Sequence, residues 1–224
     1  MKVIAHRGAS LEAPENTLSA FKKAQEYQVD LIELDVHLTK DLIPVVIHDP
    51  MVDLDPPRPI QEMTLKEIRS IDVGISFSQK FAGEKIPTLK EVLELNETLM
   101  IEIKWNGLPF HHSVEPILQL VDKKHWIACL DLEVIKYVKK RGYKTIGVVE
   151  SQSNLSPFII LSPEILALEQ DLISPSLISY LHSLGIEAWG WTVDDPIKAL
   201  ELKKMGLDGL ITNNISGIKT CLSF

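Results

Sequence analysis

Two histidines, three carboxylates and two cations stand at the ends of short apolar runs in this sequence. His6 and Arg7 follow Val3-Ile4-Ala5, and His48 closes Pro44-Val45-Val46-Ile47. Glu33 and Asp35 alternate with Ile32, Leu34 and Val36, and Glu102 and Lys104 alternate with Ile101 and Ile103. Residues two apart in a strand share a face, so each polar pair points one way and its apolar neighbours the other. Paired carboxylates on one buried face repel unless a counter-charge joins them. Three carboxylates together form a hard oxygen donor set, suited to Mg2+ or Ca2+ rather than Zn2+. The histidines are then free for proton transfer, and Arg7 and Lys104 for anionic oxygens. Each stretch alone has a plainer reading: a solvated strand face for Glu33 and Asp35, an ion pair for Glu102 and Lys104, a turn for His48-Asp49. Their shared position at the end of an apolar run argues for a common site.

Such a site needs elements that bring those ends together. Nine β-branched runs recur at 3–6, 31–36, 44–48, 99–103, 126–130, 145–149, 165–168, 188–193 and 208–212. Between most of them lie stretches of helical period. Residues 17–28 place Leu18, Phe21 and Ala24 on one face behind Asn16 or Thr17, and 131–142 runs from Asp131 to Gly142. Residues 174–185 and 195–206 repeat that plan and stop at Gly185 and Gly206. Strand–helix alternation over this length predicts an α/β fold of parallel units, either a (β/α)8 TIM barrel or an open doubly wound sheet. A barrel needs eight strands, so one run is surplus, and Ile165–Leu168 is the one expected to be irregular. A barrel gathers the C-terminal ends of its strands at one mouth, where active sites of such folds lie. Residues 49–86 read as a small insertion after the third strand. The whole chain, 1–224, reads as one domain.

Composition narrows the partners. The 224 residues are 45% hydrophobic with a formal net charge of -8, and they show no basic stripe, which argues against nucleic acid. Cys129 and Cys221 form no motif and predict no disulfide framework. Met1 and Lys2 lead directly into the first candidate strand, and no run approaches the ~20 apolar residues of a membrane span. The expectation is a soluble cytoplasmic protein without a transmembrane segment. Oligomeric state is not fixed by these residues.

The chain resembles the glycerophosphodiester phosphodiesterases in AHRGAS with Pro14–Thr17, in LIELDVHLTKD (31–41), PVVIHDP (44–50), the 81–93 block, IEIK (101–104), WTVDD (191–195) and GLDGLIT (206–212). The resemblance implies a (β/α)8 barrel and a metal-dependent hydrolase that releases glycerol 3-phosphate and an alcohol from small glycerophosphodiesters. It implies metal ligation by Glu33, Asp35 and Glu102, acid/base catalysis by His6 and His48, phosphate contacts from Arg7 and Lys104, and an aromatic wall at Trp191. It further implies attack by a glycerol hydroxyl, giving a cyclic phosphate that water then opens. Asn16 falls in a turn expected to support the His6-Arg7-Gly8 loop. Three stretches depart from the family pattern: 51–61, the region around Ile127–Asp131, and Thr212–Ile215, where Asn213 stands in place of the usual Asp. The last of these is expected to weaken support of the mouth. Two other readings of the same residues are a related phospholipase or lyase acting on lysophospholipids or sphingolipids, and an inactive phosphate-binding barrel.

Overall fold

The structure is a computed structural model and describes residues 1–223. In chain order its strands are β1 (Lys2–Ala5), β2 (Leu31–Leu38), β3 (Pro44–Val46), β4 (Met51–Val52), β5 (Arg58–Pro59), β6 (Leu99–Ile103), β7 (Trp126–Cys129), β8 (Lys144–Val149), β9 (Ile165–Glu169), β10 (Glu187–Trp191) and β11 (Gly209–Thr212). Its helices are α1 (Leu18–Glu26), α2 (Leu65–Ile68), α3 (Leu89–Leu93), α4 (Phe110–Ser113), α5 (Glu115–Leu118), α6 (Leu132–Lys140), α7 (Gln152–Leu161), α8 (Pro175–Ser183), α9 (Pro196–Lys204) and α10 (Ile215–Leu222). Eight parallel strands, β1, β2 and β6 to β11, pair in turn, and β1 closes the ring through β2 on one side and β11 on the other. The fold is a (β/α)8 barrel.

Two elements differ from the sequence expectation. Ile165–Glu169 is a full barrel strand, paired along its length with β8 and β10. Residues 44–48, expected to form a barrel strand, instead fold back antiparallel as β3, where Val46 pairs with Val36 and Pro44 with Leu38. Only residues 39–43 separate β2 from β3, far fewer than the dozen or so that a parallel crossover requires. β6 occupies one edge of β2 over Ile32–Val36, so β1 and β3 share the other, with β1 low and β3 at the mouth. His48 thus descends onto the mouth above the end of β1, and its approach is fixed by the Ile47 N–H donating to the Asp35 carbonyl (3.0 Å).

Alternation along each strand builds two apolar layers. Ile4, Met100, Ala128, Ile146, Val148, Ile165, Ala167, Trp189 and Ile211 fill the barrel interior. The opposite faces, including Ile32, Leu34, Ile101, Ile103, Leu166 and Leu168, pack against the helices. Helix starts follow the predicted chemistry: Thr17 caps α1 through the Ala20 N–H, and Asp131 caps α6 through Glu133 and Val134. Residues 49–86 wrap a separate small core of Val45, Val52, Ile60, Met63, Ile68 and Ile86 beside the mouth.

Candidate active site

The inward register of the strands continues past the apolar layers into polar residues. Above Ile4 comes His6, above Leu31 come Glu33 and Asp35, above Met100 come Glu102 and Lys104, and above Trp189 comes Trp191. These residues, together with Arg7 and His48, line one cavity of about 210 Å³. All eight residues singled out by the sequence therefore meet at the C-terminal mouth.

The loop after β1 explains the order His6-Arg7-Gly8. Arg7 and Gly8 both take positive φ, 57° and 82°, which turns the chain at once at the strand end. A Cβ on Gly8 would lie 2.8 Å from the backbone of Ala20 in α1, so glycine alone fits there. The Arg7 N–H donates to Glu33 Oε2 (2.9 Å), and its guanidinium pairs with Glu15 (Nη1, 2.9 Å) and Asp35 (Nε, 3.2 Å). The Nε–H is buried and out of line with Asp35, leaving it without a hydrogen bond. Asn16 ties the same loop down: its N–H donates to the Arg7 carbonyl (3.0 Å) and its Nδ2 to Asp35 Oδ2 (2.8 Å).

Glu33, Asp35 and Glu102 are 2%, 1% and 8% exposed, and one oxygen from each lies within 4.8 Å of the others. Lys104 Nζ pairs with Glu102 and lies 2.9 Å from Asp35 Oδ1. Burial, then the charges of Asp35 and Glu102, raise the Glu33 carboxyl well above the usual range. Burial also raises Glu102, with Asp35 adding to it and Lys104 opposing. Burial acts the same way on Asp35, but Lys104 and Arg7 outweigh it and hold that carboxyl low. Burial alone would depress the Lys104 ammonium, yet Glu102 and Asp35 keep it charged. The donor set suits a hard divalent cation: three buried carboxylates, one of them raised by burial and then by its like-charged neighbours, with only two cations beside them.

The two histidines have different partners. His6 Nδ1 lies 2.8 Å from Asn213 Oδ1, which also lies 2.8 Å from Ser10 Oγ. Asn213 Nδ2 donates to Asp194 Oδ2 (2.8 Å), and the Asn213 N–H donates to Asp194 Oδ1 (2.7 Å). The Asp194 carboxylate only accepts, so the amide NH2 faces Asp194 and the amide oxygen faces His6. His6 Nδ1 must therefore carry its proton, leaving Nε2 as the acceptor. Burial, reinforced by the charge of Arg7, lowers the His6 pKa against the opposing bond to Asn213. His48 Nδ1 lies 2.7 Å from Asp49 Oδ1 and donates to that carboxylate. His37 donates from Nε2 to the His48 carbonyl (2.9 Å) and steadies the His48 loop. A second cavity of about 530 Å³ adjoins the first at His48 and runs beneath residues 49–86 past Met51, Ile71, Val73 and Phe77.

Sequence reasoning missed three participants. Asp194 braces Asn213, and its place in WTVDD gave no sign of that. Ser10 completes the network two residues beyond Gly8. Glu150, just past β8, lines the inner cavity; the alternation Ile146, Val148, Glu150 was the available signal. Asn213 was expected to weaken the mouth but is bonded to His6, Ser10 and Asp194. Trp105 donates to the Leu108 carbonyl (2.9 Å) and packs on Phe110, and it takes no part in the cavity lining.

A (β/α)8 barrel with acidic, imidazole and cationic side chains converging at its C-terminal mouth defines an enzyme built to act on an anionic substrate. The family model for the glycerophosphoryl diester phosphodiesterase family matches residues 6–131 and 114–216. A glycerophosphodiester phosphodiesterase of Caldanaerobacter subterraneus is 38% identical, covering 95% of this chain and 93% of its own length. A putative glycerophosphodiester phosphodiesterase of Bacillus subtilis is 31% identical over 95% of this chain and 94% of its own. A solved Oleispira antarctica phosphodiesterase, in complex with the product sn-glycerol-3-phosphate, superposes with a TM-score of 0.90 at 26% identity, covering all of this chain and 97% of that one. The chain belongs to the glycerophosphoryl diester phosphodiesterase family and is an enzyme of that class, a phosphoric diester hydrolase. No helix among the described residues is long and apolar enough to cross a membrane.

Proposed function

We propose that this enzyme hydrolyses small glycerophosphodiesters to glycerol 3-phosphate and an alcohol, using a divalent cation and two histidines with opposite roles. The observation that carries the proposal is the convergence of Glu33, Asp35 and Glu102 with His6, His48, Arg7 and Lys104 on one cavity. Glu33, Asp35 and Glu102 would hold Mg2+ or Ca2+, which when bound supplies positive charge for the phosphoryl oxygens as negative charge grows on them.

The remaining chemistry falls to this chain's own side chains. Arg7 and Lys104 bind non-bridging oxygens. His6 is the base. Asn213 holds its proton on Nδ1, its lowered pKa keeps the ring neutral, and Nε2 accepts the proton of the attacking hydroxyl. That hydroxyl belongs to the glycerol, giving a cyclic phosphate that water opens, or to water itself. His48 is the acid. Its Nδ1 bond to the Asp49 carboxylate orients the ring with Nε2 toward the cavity side it serves, and it delivers a proton to the leaving alcohol. The second cavity begins at His48, so it receives the alcohol. Residues 49–86 are then an insertion of the same single domain that walls this cavity.

The small inner cavity, charged along one side, favours glycerophosphodiesters over lipid substrates. The full set of charged residues argues against an inactive barrel. The test is release of sn-glycerol 3-phosphate from glycerophosphocholine, glycerophosphoethanolamine and glycerophosphoglycerol with Mg2+ or Ca2+ present and a lysophospholipid in parallel. Faster turnover of the lysophospholipid would replace this reading with the lipid-directed one. No turnover of any diester would leave a phosphate-binding barrel.

A further inference from the structure

The inner cavity is chemically divided. Its charged residues come from β1, β2, β6 and the loop after β3, whereas β7 to β10 contribute Leu130, Val148, Ala167, Trp191 and one charged group, Glu150. Trp191 spends its only donor on the Ala167 carbonyl (3.0 Å), so it offers the cavity a ring and no hydrogen bond. Ile146 and Val148 lie in the barrel interior on the inward face of β8, and Glu150, one step further in that register and just past the strand's end, is exposed at the mouth. Among the described residues its carboxylate has no hydrogen-bond or ion-pair partner. It also stands apart from the three clustered carboxylates at the candidate metal site.

We infer that Glu150 accepts a hydrogen bond from a glycerol hydroxyl that does not attack phosphorus and so makes the β7–β10 side of the cavity a polyol subsite. This rests on the glycerophosphodiester reading above and names the residue that selects the glycerol half. A carboxylate on an otherwise apolar wall discriminates in two ways. It rewards a moiety that carries hydroxyl donors, because a charged acceptor makes stronger hydrogen bonds than a neutral one. It also repels phosphate, and so orients the diester with its anion toward Arg7 and Lys104. An analogue that lacks the hydroxyl forgoes that bond and leaves the Glu150 carboxylate, which is exposed at the mouth, to water.

The test compares two phosphate monoesters that differ in hydroxyls. Calorimetric titration, with saturating divalent cation present, measures sn-glycerol 3-phosphate and ethyl phosphate against the wild type, Glu150→Ala and Glu150→Gln. The wild type should prefer glycerol 3-phosphate by ~10-fold or more, a charge-assisted hydrogen bond being of that order. Glu150→Ala should lose that preference while binding ethyl phosphate as well as the wild type or better. Glu150→Gln, which keeps an acceptor oxygen, should retain part of it. In turnover of a glycerophosphodiester, Glu150→Ala should raise KM by a similar factor and leave kcat within about threefold. A wild type without the preference, or a Glu150→Ala variant that keeps it, overturns the inference. A collapse of kcat at unchanged KM also overturns it, because Glu150 would then act in the chemistry. Failure of the proposed function would show elsewhere, as absent hydrolysis by the wild type, whereas failure here leaves hydrolysis intact.

Discussion

Replacing Asn213 with alanine isolates the part of the site that fixes the His6 tautomer. The substitution removes Oδ1, the partner of His6 Nδ1 at 2.8 Å, and leaves Asp194 its bonds to Thr212 Oγ1 and to the backbone N–H of residue 213. The lost interaction is a neutral hydrogen bond, worth about 0.5–1.5 kcal/mol net. If that energy is what holds the proton on Nδ1, the ratio of the reactive to the unreactive tautomer falls about two- to thirteenfold, since 1.4 kcal/mol is a factor of ten. The expected result is a fall in kcat of no more than roughly 13-fold with KM and cation affinity nearly unchanged. Deleting the imidazole itself in His6→Ala should cost at least ~10². Nitrogen chemical shifts of the 15N-labelled ring give a second readout independent of turnover. In the wild type they should report Nδ1–H, and in Asn213→Ala a mixture of both tautomers. An unmixed Nδ1–H tautomer and an unchanged kcat in the variant would refute the argument. A loss as large as that of His6→Ala in a folded protein would refute it equally, since no single neutral bond carries so much.

Three further outcomes follow from the same geometry. His48→Ala should cut kcat on natural diesters by ~10² or more, and a nitrophenol leaving group, which departs without a proton, should recover most of that loss; His6→Ala should show no such recovery, and equal recovery by both would undo the assignment of acid and base. The Glu33 carboxyl is raised in the fold, so the folded protein holds that proton more tightly than the unfolded chain does. The stability this contributes is complete below the unfolded value of about 4.3 and is lost as pH rises through the folded value. The melting temperature of chelator-treated protein should therefore drop over that interval, and saturating Mg2+ or Ca2+ should flatten the drop; an identical profile with and without cation would show that Glu33 does not face it. Asn16→Ala should weaken cation binding by removing the donor on Asp35 Oδ2, a shift that titration calorimetry of the metal would detect and that unchanged affinity would rule out.

Much of this arrangement was legible because strand alternation is a rigid rule. Glu33, Asp35, Glu102 and Lys104 could be assigned to the inward face from their apolar neighbours alone, and the barrel confirmed that face. The same rule carried one residue further along Ile146 and Val148 would have found Glu150. The direction of residues 44–48 was misread because composition is blind to it: a β-branched run looks alike in a parallel strand and in a returning hairpin arm. The deciding signal was the five-residue link from β2, too short for a crossover. Ile165–Glu169 looked weak because a strand buried on both faces reads as an unbroken apolar run without alternation. The Asn213–Asp194 brace was invisible for another reason. Its members lie 19 positions apart on loops after β10 and β11, and the contact exists only because those strands are neighbours in the closed ring.

The central claim, that a cation held by Glu33, Asp35 and Glu102 supports the hydrolysis, is tested most directly by metal titration of turnover. Protein stripped with chelator and dialysed should release no glycerol 3-phosphate from glycerophosphocholine, and added Mg2+ or Ca2+ should restore release along a saturating curve. Glu102→Gln keeps an oxygen ligand but removes one negative charge, so it should need at least ~10-fold more cation for half-activation while remaining folded by circular dichroism. Full activity in thoroughly stripped protein, or a Glu102→Gln curve that overlays the wild type, would contradict the account.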